Sequence, residues 1–327
     1  MQVDVLTTVD ALEKTEPEWL ELWRRVPEAT PFQSPMWLLP WWRAFGSHEL
    51  RVIALHDRGH LEAIAPLYLL REDDESLGMF LGSGNSDYLD IVTALDASTT
   101  IVAEMARMDC QMWDLQQLRP SSPMLQVASP DGWSDNVGDH DRCPVLSIEG
   151  AGDELQNLIS THFQKKLRYY QRSLERLGTM IFESATASNV DALTDALFAL
   201  HAARWQRRGM PGMLADDVVQ RFHRQVIPRM LTAGALRMYA IHVGERIVGV
   251  YYGFAHGGTA YYYLSGYDPE LEKLSIGTVI VAHAIEQAVR DGCTVFDFLR
   301  GAEEYKYAWG AKDRVNRRRQ FFRKGVR

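Results

Sequence analysis

The sequence is poor in cysteine and has no long hydrophobic run. Its 3 cysteines are scattered, and their spacing matches neither metal ligands nor a disulfide framework. No apolar stretch reaches the roughly 18 residues that a membrane-spanning helix needs. The segment from Met1 to Asp4 is acidic and lacks the basic and apolar parts of a secretory signal. These absences predict a cytoplasmic protein with reduced cysteines and no metal ion.

Charge is distributed unevenly along the chain. Apolar residues make up 46% of the 327 residues, which suits a globular protein with two domains of about 150 residues each. The net charge is −8, but residues 1–150 hold 10 Lys and Arg against 25 Asp and Glu, and residues 151–327 hold 25 against 18. We therefore predict domains 1–150 and 151–327, joined at Glu149–Gly152, with the anion-binding surface in the second. The alternative is a solvated surface whose charges attract the two halves to each other.

The most informative stretch runs from Leu236 to Trp309. Three predicted strands lead into a loop that opens a helix with Ser275–Thr278, and the next predicted strand ends at Asp297. Free backbone N–H groups and the helix dipole favour an anion at such a helix N-terminus. An arginine, a tyrosine and a lysine follow the second strand closely. The layout therefore indicates an enzyme that binds a phosphorylated carrier and carries out chemistry beside it.

The two halves share a coarse order of predicted elements: helix, helix, hairpin, strand, helix, strand. No residues repeat at a fixed offset, so this order indicates only a weak internal duplication. In the first half, the loop Gly82–Ser86 lies between two predicted strands and opens no helix. We therefore predict that the first domain has no phosphate loop, is non-catalytic and serves structure or acceptor binding.

Several segments in a fixed order carry a resemblance to a known family. They are Pro31–Trp37, Ala65–Leu67, Gly82–Asp90, Phe296–Gly301 and Tyr305-Lys306. By these segments the chain resembles the GNAT acyltransferase superfamily. More specifically, it resembles the CelD-like proteins linked to cellulose and exopolysaccharide biosynthesis, which are relatives of the FemABX peptidyltransferases. The resemblance implies an α/β fold with two tandem GNAT-like domains, each a mixed twisted sheet flanked by helices.

The resemblance also implies acyl-CoA, such as acetyl-CoA, as co-substrate. In the superfamily, acyl-CoA lies between two splayed parallel strands, and its pyrophosphate lies on the following helix N-terminus. The positions in this chain that correspond to such a site are Leu264, Ser265, Ser275, Ile276, Gly277 and Thr278. One departure concerns the phosphate loop, Gln/Arg-x-x-Gly-x-Gly/Ala in the family, which here has Glu272 and Ser275 before Gly277. We expect Ser275 to cap the helix.

Three residues are candidates for the chemistry of acyl transfer. Asp297 would accept a proton from the amine, Tyr305 would protonate the leaving thiolate, and Lys306 would bind phosphate or stabilise the oxyanion. Structural alternatives stay open for each of them. Asp297 would instead pair with Arg300 or cap a helix, Tyr305 would pack on the sheet, and Lys306 would lie on the surface.

A second group of residues is predicted to line the acceptor side. It comprises Arg168, His201, Arg204, Tyr262 and Arg300. Charged residues three or four apart share one face of a helix, where they can bind hydroxyl groups or an anion. The alternatives are a solvated helix face for the arginines and a satisfied structural histidine for His201.

We predict an acyl-CoA-dependent N- or O-acyltransferase that acts on a small amine or sugar. A FemABX-like peptidyltransferase that uses aminoacyl-tRNA and a non-catalytic accessory protein of polysaccharide synthesis are the alternatives. The basic tail from Arg314 to Arg327 invites a nucleic-acid interpretation, but the acidic first half argues against stable nucleic-acid binding. Contact of the tail with anionic lipid stays open. Composition and motif spacing give no oligomeric state.

Overall fold

The computed structural model describes residues 1–72, 75–150 and 155–325. These residues form two compact units, Met1–Cys143 with Arg314–Arg327, and Pro144–Asp313. The sequence predicted one boundary near residue 150, at a joint whose last two residues lie outside the described ranges. The structure differs because the chain returns to the first unit after Asp313, where its last strand pairs with residues 112–118.

Among its described residues, the first unit contains four α-helices and the strands of two sheets. One sheet has the order β1-β3-β4-β7, and a second has the order β15-β8-β6-β5-β2, in which only β6 and β8 are parallel. The bounds are β1 (Gln2–Leu6), α1 (Val9–Lys14), α2 (Glu16–Arg25), α3 (Pro35–Phe45), β2 (Glu49–Leu50), β3 (Val52–Asp57), β4 (His60–Ala65), β5 (Leu67–Glu72), β6 (Glu75–Phe80), β7 (Val92–Thr93), α4 (Ser98–Arg107), β8 (Met112–Leu118), the long strand β9 (Trp133–Ser147) and the returning strand β15 (Lys312–Arg323).

The second unit is a mixed sheet covered by helices. Its strand order is β10-β11-β12-β13-β14, followed by the end of β9, and β13 and β14 form a parallel pair. The bounds are α5 (Thr161–Glu175), β10 (Met180–Ser184), α6 (Val190–Arg207), α7 (Asp217–Thr232), β11 (Leu236–Val243), β12 (Arg246–His256), β13 (Thr259–Tyr267), α8 (Ile276–Arg290), β14 (Val295–Asp297) and α9 (Glu304–Tyr307). No helix in the described ranges is long and apolar enough to cross a membrane.

The parallel strands β13 and β14 separate soon after they pair. Their register begins at Thr259 with Val295 and ends at Tyr261 with Asp297, although β13 continues to Tyr267. Beyond Tyr261, no described strand pairs with this edge of β13. The backbone N–H of Asp268 donates to the Val248 carbonyl on β12, so the alternation of an antiparallel pair directs the peptide groups of Ser265 and Tyr267 to the open edge.

A β-bulge changes which side chains of β13 share a face. Tyr252 of β12 lies opposite Leu264, but the next residue, Gly253, lies opposite Tyr262, so Tyr263 is the extra residue. As a result, the side chain of Tyr262 shares a face with those of Ser265 and Tyr267.

Two glycines allow helices to approach the sheet closely. A Cβ atom on Gly266 would lie 2.8 Å from the backbone of α6 at His201, and one on Gly249 would lie 2.7 Å from Ile276 at the start of α8. Neither position can hold a larger side chain without moving its helix. The close approach brings the end of α6 and the N-terminus of α8 to the open edge of β13.

Candidate active site

The separation of β13 and β14 opens a cleft of about 290 Å³ in the second unit. Its walls come from the end of α6, the open edge of β13, the start of α8 and the segment after β14. The lining residues are Arg204, Arg208, Tyr262, Ser265, Tyr267, Glu272, Ser275, Gly277, Thr278, Val281, Tyr305 and Trp309. The residues that the structure describes contain no group of His, Cys, Asp or Glu side chains able to hold a metal ion.

The N-terminus of α8 presents backbone donors to this cleft. Ser275 has a left-handed conformation (φ 49°, ψ 47°), which glycine adopts more readily. Its carbonyl accepts the N–H of Thr278 at 2.9 Å, whereas no described residue accepts a hydrogen bond from the N–H of Ile276 or Gly277. Two free N–H groups and the helix dipole therefore favour an anion here.

The expectation that Ser275 caps this helix through its side chain was wrong. Its hydroxyl makes no capping hydrogen bond. A side-chain cap normally requires an extended backbone at the capping residue, and the left-handed backbone of Ser275 does not provide it.

Three hydroxyl groups form a chain inside the cleft. The Tyr262 hydroxyl lies 2.6 Å from Oγ of Ser265, and the Tyr305 hydroxyl forms a hydrogen bond with Tyr262. Burial raises the pKa of Tyr262, and desolvation raises the pKa of Tyr305, although 46% of the Tyr305 surface stays exposed. Both tyrosines therefore stay protonated at neutral pH, and Tyr305 can donate a hydrogen bond to a developing negative charge.

Two arginines at the end of α6 give the cleft its positive charge. The guanidinium carbon of Arg204 lies 4.3 Å from the centre of the Tyr267 ring. Its Nε is buried and has no hydrogen-bond partner among the described residues. Arg208 lies 3.8 Å from Glu272, the carboxylate that lines the cleft, so each offsets the charge of the other. Arg204 therefore leaves one positive charge for a ligand to neutralise.

Asp297 and Lys306 support the loop after β14 and do not line the cleft. The Asp297 carboxylate is fully buried and accepts the N–H of Leu299 at 2.9 Å, at a residue with a left-handed backbone (φ 58°). The Lys306 side chain is also buried, and its Nζ donates to the carbonyls of residues 299, 300 and 301 and lies 2.9 Å from Glu303. Of the three residues predicted to carry the chemistry, only Tyr305 therefore lies in the cleft.

Replacing Lys306 with methionine is expected to lower the free energy of unfolding by about 3 kcal/mol, because it leaves several buried carbonyl groups without a donor. Urea denaturation of the full chain would measure the loss. Lys312→Met changes an exposed lysine nearby and serves as the control. A loss below about 1 kcal/mol for Lys306→Met would show that water replaces the ammonium group.

The predicted carrier and acceptor residues are divided between cleft and core. Arg204, Tyr262, Ser265, Ser275, Gly277 and Thr278 line the cleft together with Tyr305. The others do not line it: Ile276 is buried in the core, Leu264 and Arg300 are partly buried, and Arg168 is exposed on α5. His201 is buried, and its Nε2 accepts the indole N–H of Trp205 at 2.9 Å. Burial lowers the pKa of His201 to about 4, so it is neutral at pH 7.

The sequence interpretation missed several lining residues, and some of them left a signal. Arg208 lies four residues after Arg204 and therefore follows it on one face at the end of α6. Tyr267 alternates with Ser265 on β13, which places both side chains on one face. Trp309 gave no signal, because its position depends on the turn after α9.

Comparison with known families identifies the second unit. Residues 161–307 match the family described as the acetyltransferase (GNAT) domain. This range covers most of the second unit and less than half of the chain. Three residues of the hydroxyl chain, the open edge of β13 and the N-terminus of α8 all lie within this matched range.

Solved structures resemble the chain over nearly its full length. A crystal structure of FemX is 11% identical with a TM-score of 0.70 and covers 98% of this chain and 97% of its own. A conserved protein of unknown function from Bacteroides thetaiotaomicron is 10% identical with a TM-score of 0.63, and covers 98% and 100%. L-PGS from Bacillus licheniformis is 11% identical with a TM-score of 0.58, and covers 94% and 92%. A comparison with curated proteins finds no match.

At these identities the structural likeness shows the fold alone. The predicted fold class, two tandem GNAT-like domains with mixed sheets flanked by helices, is confirmed. The chain therefore has the fold of the GNAT acyltransferases. The narrower resemblance to CelD-like proteins stays a prediction.

Proposed function

We propose that this protein transfers an acyl group from acyl-CoA to the amine, or the hydroxyl, of a small molecule or sugar. The observation that carries the proposal is the open edge of β13 beside the free N–H groups of α8. An extended polar chain that ends in a pyrophosphate matches these two features in one cleft. A role in polysaccharide biosynthesis, in the cytoplasm, belongs to the same proposal.

The lining residues suit acyl-CoA in three respects. The peptide groups of Ser265 and Tyr267 would bind the amide groups of the pantetheine arm as an added strand does. The N–H groups of Ile276 and Gly277 would bind the pyrophosphate. The carboxylate of Glu272 opposes an anion, but Arg208 lies beside it and offsets this charge.

The chemistry requires a neutral amine and a stabilised leaving group. The nitrogen lone pair attacks the thioester carbonyl carbon, the C–N bond forms, and the C–S bond breaks. Nitrogen releases one proton to water, and sulfur leaves as a thiolate that takes one proton up, so no other reagent is consumed. Tyr305, which is protonated at neutral pH, would donate a hydrogen bond to the sulfur as its negative charge develops.

Gly277→Trp is expected to abolish acyl-CoA binding, because the indole would fill the space in front of the helix N-terminus. Titration calorimetry of the full chain with acetyl-CoA and longer acyl-CoAs would measure it. We expect micromolar dissociation constants for the native chain and a loss of at least about 100-fold for the variant.

The matched control for this experiment is Gly277→Ala. A Cβ atom at this position would lie 3.4 Å from the Tyr267 ring, which is an ordinary contact, so affinity should change by less than about threefold. Absence of binding by every acyl-CoA, or native affinity in Gly277→Trp, would overturn the proposal.

A second candidate is an aminoacyl-tRNA-dependent peptidyltransferase. The observation that favours it is the likeness to FemX over 98% of the chain. If no acyl-CoA binds, gel-shift titration with aminoacyl-tRNA would test this candidate. If neither acyl-CoA nor aminoacyl-tRNA binds, the non-catalytic accessory role is the remaining candidate.

A further inference from the structure

The first unit contains a separate cavity of about 220 Å³. Four chain segments meet there: the end of α2, the turn before α3, the residues that lead into β7, and the loop after β8. Its polar lining includes Gln33, Asp90 and Ser122, all of which are buried. The segments Pro31–Trp37 and Gly82–Asp90, which the sequence singled out, both contribute to it and have no role in the acyltransferase cleft.

Asp90 is a buried carboxylate that lacks a matching charge. Its side chain is 94% buried, since its exposed fraction is 6%. It accepts the N–H of Ile91 at 2.9 Å, and the Ser122 hydroxyl partly offsets the rise in its pKa that burial causes; both are neutral groups. No ion pair joins Asp90 to any cation in the described part of the chain. Burying a carboxylate without a counter-ion is costly, so an external cation would be favoured beside it.

The positive charge of Arg119 does not neutralise the Asp90 carboxylate. The Arg119 guanidinium lines the cavity but donates to the Glu28 carbonyl and lies 5.8 Å from the centre of the Tyr88 ring. It therefore attracts Asp90 only from beyond ion-pair distance. Glu28, an exposed residue, also lines the cavity. Burial raises the pKa of Asp90 to about 6, which leaves it ionised at pH 7.5.

The other polar groups of the cavity are held rigidly. The Gln33 side chain accepts the N–H of Thr30 at 2.6 Å, and Oγ of Ser122 accepts the N–H of Met124 at 3.1 Å. These bonds fix the two side chains before any ligand arrives. Ile91 and Val26 form apolar walls. The cavity holds about 220 Å³, which suits a small ligand.

We propose that this cavity binds a small primary amine whose ammonium group pairs with Asp90. An ammonium group supplies the missing positive charge and donates to the carboxylate and the surrounding oxygen atoms. A ligand carboxylate would be repelled by Asp90. A neutral polyol would leave the buried charge unbalanced.

Calorimetric and NMR titration of the full chain would test this proposal. The probes are ethanolamine, D-glucosamine and L-lysine methyl ester, each paired with its N-acetylated form, which keeps the shape and removes the charge (for lysine, at both amines). We expect at least one amine to bind about tenfold or more tightly than its acetylated partner, and Asp90→Asn to remove this preference. Asparagine keeps the acceptor for Ile91, so the fold should persist.

Two variants separate loss of the site from loss of the fold. Ser121→Trp places an indole at the exposed rim of the cavity and should abolish amine binding, whereas Ser47→Trp changes an exposed serine away from the lining and should not. Gly277→Trp should also leave amine binding intact. A negative result for amine binding therefore leaves the acyl-CoA proposal untouched, and the reverse also holds. Binding of no amine, or equal binding of amine and acetylated partner, would overturn the inference.

Discussion

Replacing Tyr305 with phenylalanine is expected to lower kcat for acyl transfer by about 10²–10³-fold. Phenylalanine keeps the ring that lines the cleft and removes the hydroxyl that would donate to the leaving sulfur. The raised pKa of Tyr305, caused first by desolvation, means that the hydroxyl acts as a hydrogen-bond donor and not as a base. Affinity for acyl-CoA should change by less than about threefold, because the donor is needed only as charge develops.

The neighbouring tyrosines provide matched controls for this variant. Tyr307 lies on the same short helix but outside the cleft, and its hydroxyl donates to Asp313, so Tyr307→Phe should leave kcat unchanged. Tyr262→Phe removes the partner that orients Tyr305 and should lower kcat by about tenfold. Single-turnover assays with a bound acyl-CoA would measure all three. A Tyr305→Phe variant with native kcat would exclude this hydroxyl from the chemistry.

Acid should destabilise the second unit through the buried histidines His201 and His223 and the half-buried His283. Burial lowers the pKa of His201 to about 4, that of His223 to about 3, and that of His283 to about 4. Above pH 6.5, all three are neutral in both the folded and the unfolded chain. As the pH falls below 6.5, the histidines of the unfolded chain bind protons, whereas those of the folded chain stay neutral. The free energy of unfolding therefore decreases down to about pH 3–4.

The expected loss is large enough to unfold the unit. At about pH 4.5, roughly 2 pH units below the ordinary histidine pKa, each of the two buried histidines costs the folded chain about 2.7 kcal/mol, and the half-buried His283 costs less, so the total loss is about 5–8 kcal/mol. This is comparable with the whole stability of a typical domain. Glu286 acts in the opposite direction, because burial raises its pKa, and reduces the net loss.

Urea unfolding at a series of pH values would measure this effect. His223 is fully buried between the rings of Phe222, Tyr252 and Tyr263, so His223→Phe should remove about a third of the pH dependence. His60→Gln changes an exposed histidine in the first unit and should leave the pH dependence as it is. An unchanged slope in His223→Phe would show that this imidazole titrates in the folded chain as it does in the unfolded chain.

The fold class was implied by the family resemblance, and the helix that opens the cleft could be predicted because it depends on local signals. The strand, loop and helix around Ser275–Thr278 follow from turn residues and apolar periodicity. The roles of Asp297 and Lys306 could not be predicted in the same way. Both residues occur where a catalytic acid and cation would occur, but they turn inward to hold one loop. Periodicity does not reveal which polar side chain a loop will bury.

Pairing between distant segments was the second limit. The bulge at Tyr263 places Tyr262 in the cleft, and it exists only because β12 and β13 change register there. The sequence predicted a basic tail from Arg314 onward but no strand partner for it. Its pairing with β8 therefore moved the tail out of the predicted second domain.

This pairing has a consequence for synthesis on the ribosome. The strand that covers the edge of β8 lies about 200 residues further along the chain, since Arg319 pairs with Leu115 and Phe321 with Trp113. The first domain therefore cannot complete its sheet while the GNAT domain is being made. Until the C-terminal residues emerge, β8 presents an unpaired edge of the kind that promotes aggregation. Loss of the last residues of the chain would therefore damage the first unit and not the second.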